Sequence, residues 1–181
     1  MTITDELLNI YDRRGGDAYF GEAVTMTEHG LQAAYFAQAA GAPEALIVAA
    51  LLHDIGHLVE PVPEDIADWK SDAQHELIGS RWLAQRFGPE VSEPVRLHVP
   101  AKRYLCATDQ AYFGKLSAAS VRTLELQGGP MPPAEIGAFE AERYCRDAIL
   151  VRRCDDRGKV AGLRIPAFTH YRAMIERLVI A

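Results

Sequence analysis

Ala49-Ala50-Leu51-Leu52-His53-Asp54-Ile55-Gly56-His57 is a long apolar run that ends abruptly in three polar residues able to bind a metal. A buried helix that finishes in His-Asp must satisfy both side chains, and a metal ion does so better than a protein partner. Successive side chains on a helix point about 100° apart. His53 can therefore face one metal while the Asp54 carboxylate reaches between two. Working outward, His29, His75, His98 and Asp155 add further ligand-competent side chains on either side of this pair. The set asks for a dinuclear centre, with His75 and His98 completing the second metal, and it predicts a metalloenzyme.

The rest of the chain reads as helical nearly throughout. Ile3, Leu7, Leu8 and Tyr11 recur at helical spacing and stop at Arg13-Arg14-Gly15-Gly16. Thr25 or Thr27 caps a second helix that carries His29 and ends at Gly41. Pro43 suits the first turn of the helix leading to His53-Asp54. Pro61 and Pro63 mark a loop, residues 74–87 form a fourth helix, and Val91 to His98 a fifth that Pro100 stops. Further helices are predicted near 117–126, 132–147 and 167–179, with Gln127-Gly128-Gly129-Pro130-Met131-Pro132-Pro133 as a firm break. The strand-like material is limited to one short hairpin pairing Ile149-Leu150-Val151 with Val160-Ala161-Gly162 through Asp156-Arg157-Gly158-Lys159. The expectation is one all-α domain over residues 1–181, with at most that hairpin near the last candidate ligand.

Composition narrows the function. A chain of 181 residues, 49% hydrophobic, is long enough for one substantial core. A formal charge of −6 argues against a nucleic-acid partner. No run of about 18 uncharged apolar residues is present, so no membrane span is expected. The acidic start, Met1-Thr2-Ile3-Thr4-Asp5-Glu6, lacks a basic segment ahead of an apolar one, which points to the cytoplasm. Cys106, Cys145 and Cys154 have no Cys-x-x-Cys spacing and read as reduced thiols. Met26, Tyr35, Trp69, Trp82 and Phe113 are expected to pack, and His170 to be structural.

The pattern His29, His53-Asp54, Asp155 resembles the HD-domain superfamily, which includes many phosphohydrolases. Tyr19-Phe20-Gly21-Glu22-Ala23, Glu28-His29, Leu51 to His57, Ala101-Lys102-Arg103-Tyr104-Leu105 and Gln127-Gly128-Gly129-Pro130-Met131 are similar to a small oxygenase branch of it. Members of that branch are mixed-valent di-iron enzymes that split the carbon–phosphorus bond of 1-hydroxy-2-aminoethylphosphonates. The resemblance implies two iron ions, Fe(II)/Fe(III), with O2 as co-substrate and an upstream hydroxylase supplying the substrate. It implies iron ligation by His29, His53, Asp54, His75, His98 and Asp155, with Asp54 bridging. It assigns phosphonate binding to His57, Lys102, Ser120, Thr123, Gln127 and Arg152. It places Tyr19 on a loop that closes off one iron before substrate arrives, and turns Glu22 toward the substrate ammonium.

The residues are chemically apt for such a substrate. Lys102 lies four residues past His98 and Arg152 three before Asp155, so both reach the metal region, and Ser120 and Thr123 share a helical face. Together they offer the charge-assisted hydrogen bonds a phosphonate requires. Glu22 supplies a carboxylate, and Tyr19 and Phe20 supply aromatic faces, for a cationic tail. If a helix already runs there, Met26 shares the Glu22 face and makes it apolar, which favours a trimethylammonio tail. The reaction is then conversion of 1-hydroxy-2-(trimethylammonio)ethylphosphonate to glycine betaine and phosphate. The same reaction on 2-amino-1-hydroxyethylphosphonate, giving glycine, is the alternative. A phosphohydrolase using two metals to activate water is a further one. A silent ligand-sensing module fits less well, because all six candidate ligands are retained. Histidine with carboxylate suits iron, manganese or zinc alike; iron comes from the resemblance.

Overall fold

The computed structural model describes residues 2–60 and 74–180. The Pro61 and Pro63 loop and Trp69 lie outside them. Helix α1 (Ile3–Arg14) and helix α2 (Met26–Ala39) both open with capping boxes, Thr2 with Asp5 and Thr25 with Glu28. In each, the threonine hydroxyl accepts from the third backbone N–H while the acid returns to the cap, so two orphan donors are satisfied together. Thr25, rather than Thr27, is therefore the cap.

Helix α3 (Glu44–Leu52) has no polar face, and every residue from Leu46 to Leu52 is buried. It is surrounded by α2, by α6 (Pro89–Thr108), by α10 (Cys145–Arg157) and by the C-terminal α11 (Arg172–Leu178). After α3 the chain breaks at His53-Asp54 and resumes as the short α4 (Ile55–Val59), which crosses α5 (His75–Ala84). Helices α7 (Gln110–Phe113), α8 (Ala118–Leu126) and α9 (Pro133–Glu140) follow α6, and a 3-10 turn, Phe168–Tyr171, precedes α11. A smaller apolar cluster of Leu97, Ala101, Met131, Phe139, Cys145 and Ala148 seats α9 against α6 and α10. Among the described residues no helix is long and apolar enough to cross a membrane. The three cysteines are free thiols.

Several expectations are corrected. The helix expected to stop at Pro100 runs on to Thr108, with Pro94 and Pro100 inside it. Each proline removes one hydrogen bond, but α6 packs against α3, α5 and α10 along its length. That packing outweighs the local penalty. The expected hairpin is not formed, and the described residues contain only isolated bridges, Ala18 with Thr25 and Phe87 with Val179. Ile149-Leu150-Val151 lies inside α10, where Cys145, Ala148, Val151, Arg152 and Asp155 are buried at helical spacing. The Asp156-Arg157-Gly158 segment, expected as a turn, is the end of that helix. The long helix expected over 132–147 is accordingly split between α9 and α10. Met26 is buried and Trp82 is partly buried beneath Arg86, whereas Tyr35 and Phe113 are exposed.

Gly56 fixes the α4–α5 crossing: a Cβ there would lie 2.0 Å from the His75 carbonyl oxygen. That obstacle is backbone, which no rotamer change relieves. Gly56→Ala should lower stability by about 1–3 kcal/mol and displace His75. A urea midpoint equal to that of wild type would show that the crossing yields freely.

Candidate metal centre

His29 comes from the first turn of α2, His53-Asp54 from the break after α3, and His75 from the start of α5. His98 comes from the middle of α6 and Asp155 from the end of α10. The structure brings all six side chains together, and all are buried. Five of them form two groups that share Asp54, namely His29, His53 and Asp54, and Asp54, His75 and His98, with Asp155 beside the first. In the first, His29 Nε2 and His53 Nε2 are 3.0 Å apart. Asp54 Oδ2 stands 3.6 and 3.4 Å from them, and Asp155 Oδ1 3.3 and 3.8 Å. In the second, His75 Nε2 and His98 Nε2 are 3.1 Å apart, with Asp54 Oδ1 3.2 and 3.6 Å away. The two oxygens of Asp54 thus face different histidine pairs.

The hydrogen bonds around these rings show what the centre lacks. His29 Nδ1 is 2.9 Å from the Gly158 carbonyl, His53 Nδ1 2.8 Å from that of Ala50, and His98 Nδ1 2.7 Å from that of Val95. A carbonyl only accepts, so each Nδ1 carries the hydrogen and a neutral ring presents a bare Nε2 lone pair. Two such lone pairs at 3.0 Å repel unless a cation lies between them. Asp54 Oδ2 and Asp155 Oδ1 are likewise buried with no hydrogen-bond partner. Spacings near 3 Å match the edge of a coordination shell with bonds of about 2.1 Å. Four imidazoles with shared carboxylates suit a transition metal better than magnesium or calcium. The residues therefore fit a two-metal centre.

Protonation shows the same demand. Burial lowers the His53 pKa, but the Asp54 and Asp155 carboxylates win and raise it to about 9. Burial and the neighbouring His75 and His53 rings push His98 down to about 3. Asp54 and Asp155 are held well below the usual carboxylate range: burial opposes this, and His53 acting on Asp54, with Arg152 acting on Asp155, overcomes it. Without metal, then, the carboxylates recruit a proton to the first histidine pair.

A cleft of about 350 Å³, counting space open to solvent, adjoins the centre. Tyr19, His57, Lys102, Ser120, Thr123, Gln127 and Arg152 all line it, as do Phe20 and Val99. Lys102 is buried and donates to Thr123 Oγ1 at 2.6 Å and Gln127 Oε1 at 3.0 Å. Burial and the charge of Arg152 lower its pKa to about 7. Arg152 forms an ion pair with Asp155 Oδ2 at 2.7 Å and donates to the Tyr112 hydroxyl at 3.0 Å and to Asp156. Its grip on Oδ2 leaves Oδ1 of Asp155 for the histidines. The Tyr19 ring stacks on His29 at 3.8 Å and Phe20 meets the edge of His57 at 4.8 Å, so this loop covers the first histidine group and the His57 ring. His57 stacks on His75 at 4.1 Å.

Glu22 does not line the cleft; it faces Lys159 Nζ at 3.3 Å. The placing of Met26 beside Glu22 is corrected. Helix α2 begins at Met26, so no helix carries Glu22 and Met26 on one face, and Met26 belongs to the core. Sequence reasoning missed Tyr112, Asp156 and Lys159. The four-residue step from Arg152 to Asp156 on one helix was a usable signal; nothing local marked Tyr112.

The HD-domain family profile matches residues 26–156, and the chain belongs to that family. It is 45% identical over 177 residues to the [1-hydroxy-2-(trimethylamino)ethyl]phosphonate dioxygenase (glycine-betaine-forming) of Leisingera caerulea, covering 98% of this chain and 90% of that protein. It is 48% identical over 162 residues to the hydroxymethylphosphonate dioxygenase of Gimesia maris, covering 89% and 81%. An uncharacterised protein of Acanthamoeba polyphaga mimivirus is 36% identical over 176 residues, covering 95% and 80%.

Asp54→Ala should abolish binding of both metals, because one carboxylate serves both groups. Elemental analysis that finds two metals retained would rule out the shared role. Filling the first histidine pair should also release about one proton near pH 7, since His53 is protonated below about 9 until a metal replaces the proton. Apparent affinity should therefore rise with pH up to that value and then level off. Zinc(II) titrated by calorimetry in buffers of different ionisation enthalpy measures the proton count, and a count of zero would contradict it.

Proposed function

We propose that this protein is a di-iron, O2-dependent phosphonate dioxygenase that converts 1-hydroxy-2-(trimethylammonio)ethylphosphonate to glycine betaine and phosphate. The observation that carries the reading is the adjacency of a two-metal centre sharing Asp54 and a cleft bearing the buried cations Lys102 and Arg152. The kinship with two named phosphonate dioxygenases across most of the chain makes the enzyme an oxygenase. It also favours the oxygenase over a phosphohydrolase. The betaine-forming relative matches 98% of this chain.

The protein's part is to bind, orient and exclude water. Lys102 and Arg152 offer charge-assisted donors to the phosphonate oxygens, with Ser120, Thr123 and Gln127 as neutral partners. His57 borders the same cleft from the His75 side. His29, His53, His75, His98, Asp54 and Asp155 would hold two irons, which would supply O2 activation and pass to O2 the electrons that C1 gives up on oxidation. Tyr19 and Phe20 close over the centre and keep bulk water from it. The apolar faces of Tyr19, Phe20 and Val99 suit a quaternary nitrogen, which donates no hydrogen bond. The 1-hydroxy group must come from a hydroxylase acting upstream.

A second reading has a specific observation behind it. Glu22 already has a cation in Lys159, so a substrate without a nitrogen, such as hydroxymethylphosphonate, leaves no charge unanswered.

O2 uptake and phosphate release by the iron-loaded enzyme test the proposal. The trimethylammonio substrate should give the highest kcat/KM, above 2-amino-1-hydroxyethylphosphonate and hydroxymethylphosphonate. Phosphate release from esters without O2 uptake would make the protein a hydrolase instead. Lys102→Ala should keep its iron and lose phosphonate affinity by about one to two orders of magnitude, the loss of one charge-assisted contact worth roughly 1.5–3 kcal/mol. Iron loss with unchanged affinity would remove Lys102 from the phosphonate site.

A further inference from the structure

Lys159 sits where the backbone is pinned on both sides. The Gly158 carbonyl accepts from His29 Nδ1 at 2.9 Å, and Val160 exchanges two hydrogen bonds with the Gln32 side chain, at 2.9 and 2.8 Å. The lysine side chain therefore springs from a fixed point on the scaffold of the metal centre. Its ammonium joins two separate elements. It donates to Ser120 Oγ at 2.8 Å and Ser117 Oγ at 3.3 Å at the start of α8, and it faces Glu22 Oε1 at 3.3 Å in the loop before α2. The Lys159 and Glu22 side chains are 12% and 16% exposed, so the pair is shielded from much of the solvent screening that weakens surface ion pairs. The same ammonium lies 5.6 Å from the Tyr19 ring centroid. One protein cation thus engages both features, a carboxylate and an aromatic face, that a cationic substrate tail would seek.

The loop that bears Glu22 is tightly wound. Tyr19 N–H donates to the Val24 carbonyl and Glu22 N–H to that of Tyr19, while Phe20 and Gly21 take φ values of 44° and 81°. A non-glycine residue in the left-handed region is strained, so contacts elsewhere must hold this shape. Tyr19 on His29 is one such contact and Glu22 on Lys159 is another.

We infer that Lys159 is a specificity-determining residue. In the closed loop its ammonium stands in for the substrate's cationic nitrogen on Glu22, and a cation-tailed 1-hydroxyphosphonate binds by taking its place. The inference rests on the phosphonate reading above. Once displaced, Lys159 keeps the Ser117 and Ser120 hydroxyls, and Ser120 lines the cleft. A tail-less phosphonate needs no exchange and leaves the loop latched. Lys159 therefore handicaps cationic tails relative to tail-less substrates.

Lys159→Met keeps the stem and removes the charge. Calorimetry on the iron-loaded enzyme without O2, so that substrate is bound and not consumed, compares 1-hydroxy-2-(trimethylammonio)ethylphosphonate with hydroxymethylphosphonate. The variant should bind the first about tenfold more tightly and the second within about twofold of wild type. Lys159→Arg, which retains a cation, should restore the wild-type ratio. Equal weakening of both ligands would place Lys159 in the phosphonate cradle and overturn the inference, as would no change in either. Amide hydrogen exchange over residues 17–25 follows the latch without any phosphonate. It should quicken by the same factor in Lys159→Met and Glu22→Gln, with no further gain in the double variant. Unchanged exchange would overturn the latch, and Glu22→Gln reports on it even if Lys159→Met does not fold. If neither phosphonate binds the wild-type enzyme, the substrate reading has failed, and the exchange data alone decide the role of the pair.

Discussion

A carboxylate placed at the end of a wholly apolar helix is the constraint around which this chain is arranged. Asp54 follows the buried α3 and is itself 7% exposed, with each oxygen directed at a separate histidine pair. An isolated buried carboxylate is prohibitively unfavourable. Protons on histidines would answer part of its charge, as the raised pKa of His53 indicates. Two metal ions answer all of it and also separate the His29 and His53 Nε2 lone pairs that confront one another at 3.0 Å. Folding and metal binding are therefore coupled. The helices converge on a charge imbalance that only a cationic guest removes.

The precision of the centre comes from backbone and from the side chains that brace the ligands. Carbonyls of Gly158, Ala50 and Val95 fix the tautomer of three rings, and each belongs to a different segment. Such partners orient metal-binding histidines and tune their basicity. Arg152 performs the corresponding task for Asp155, and is itself held by Tyr112 and Asp156. Arg152 consequently has two duties, since it also lines the cleft. A phosphonate that draws on its guanidinium would reach the metal centre through Asp155 as well as directly.

The candidate ligands were legible because histidine and aspartate at the end of an apolar helical run are costly to bury unless a cation satisfies them. That all six meet in space was implied by the family resemblance, since His29, His75, His98 and Asp155 lie on four different helices that no spacing links. Tyr112 was not legible: it stands 40 residues from Arg152, and only the fold brings them together. The proline stop at Pro100 and the hairpin at Ile149-Leu150-Val151 misled for a common reason. Local propensity is worth a few kcal/mol at most, and burial of a face on α6 or α10 among several helices exceeds it. The Glu22–Met26 pairing failed for the opposite reason. It requires a helix running through both residues, whereas the capping box of Thr25 and Glu28 places the helix start at Met26 itself.

The substrate's two ends meet different physics. At the phosphonate end, Lys102 and Arg152 are both buried beside the cleft. Burial, and then the charge of Arg152, lower the pKa of Lys102, so an anion there would stabilise the lysine's charge, whereas Arg152 is already paired with Asp155 and Asp156. A dianion there restores the lysine's charge and draws the ligand in with an energy independent of its tail. At the other end Glu22 is already matched by Lys159, so a cationic tail gains only the difference between two ion pairs. Affinity is accordingly concentrated at the phosphonate, and discrimination among tails falls to the exchange of one cation for another and to the aromatic faces of Tyr19 and Phe20. Small changes at that end could thus retune the choice of substrate while the metal centre and its phosphonate cradle stay as they are.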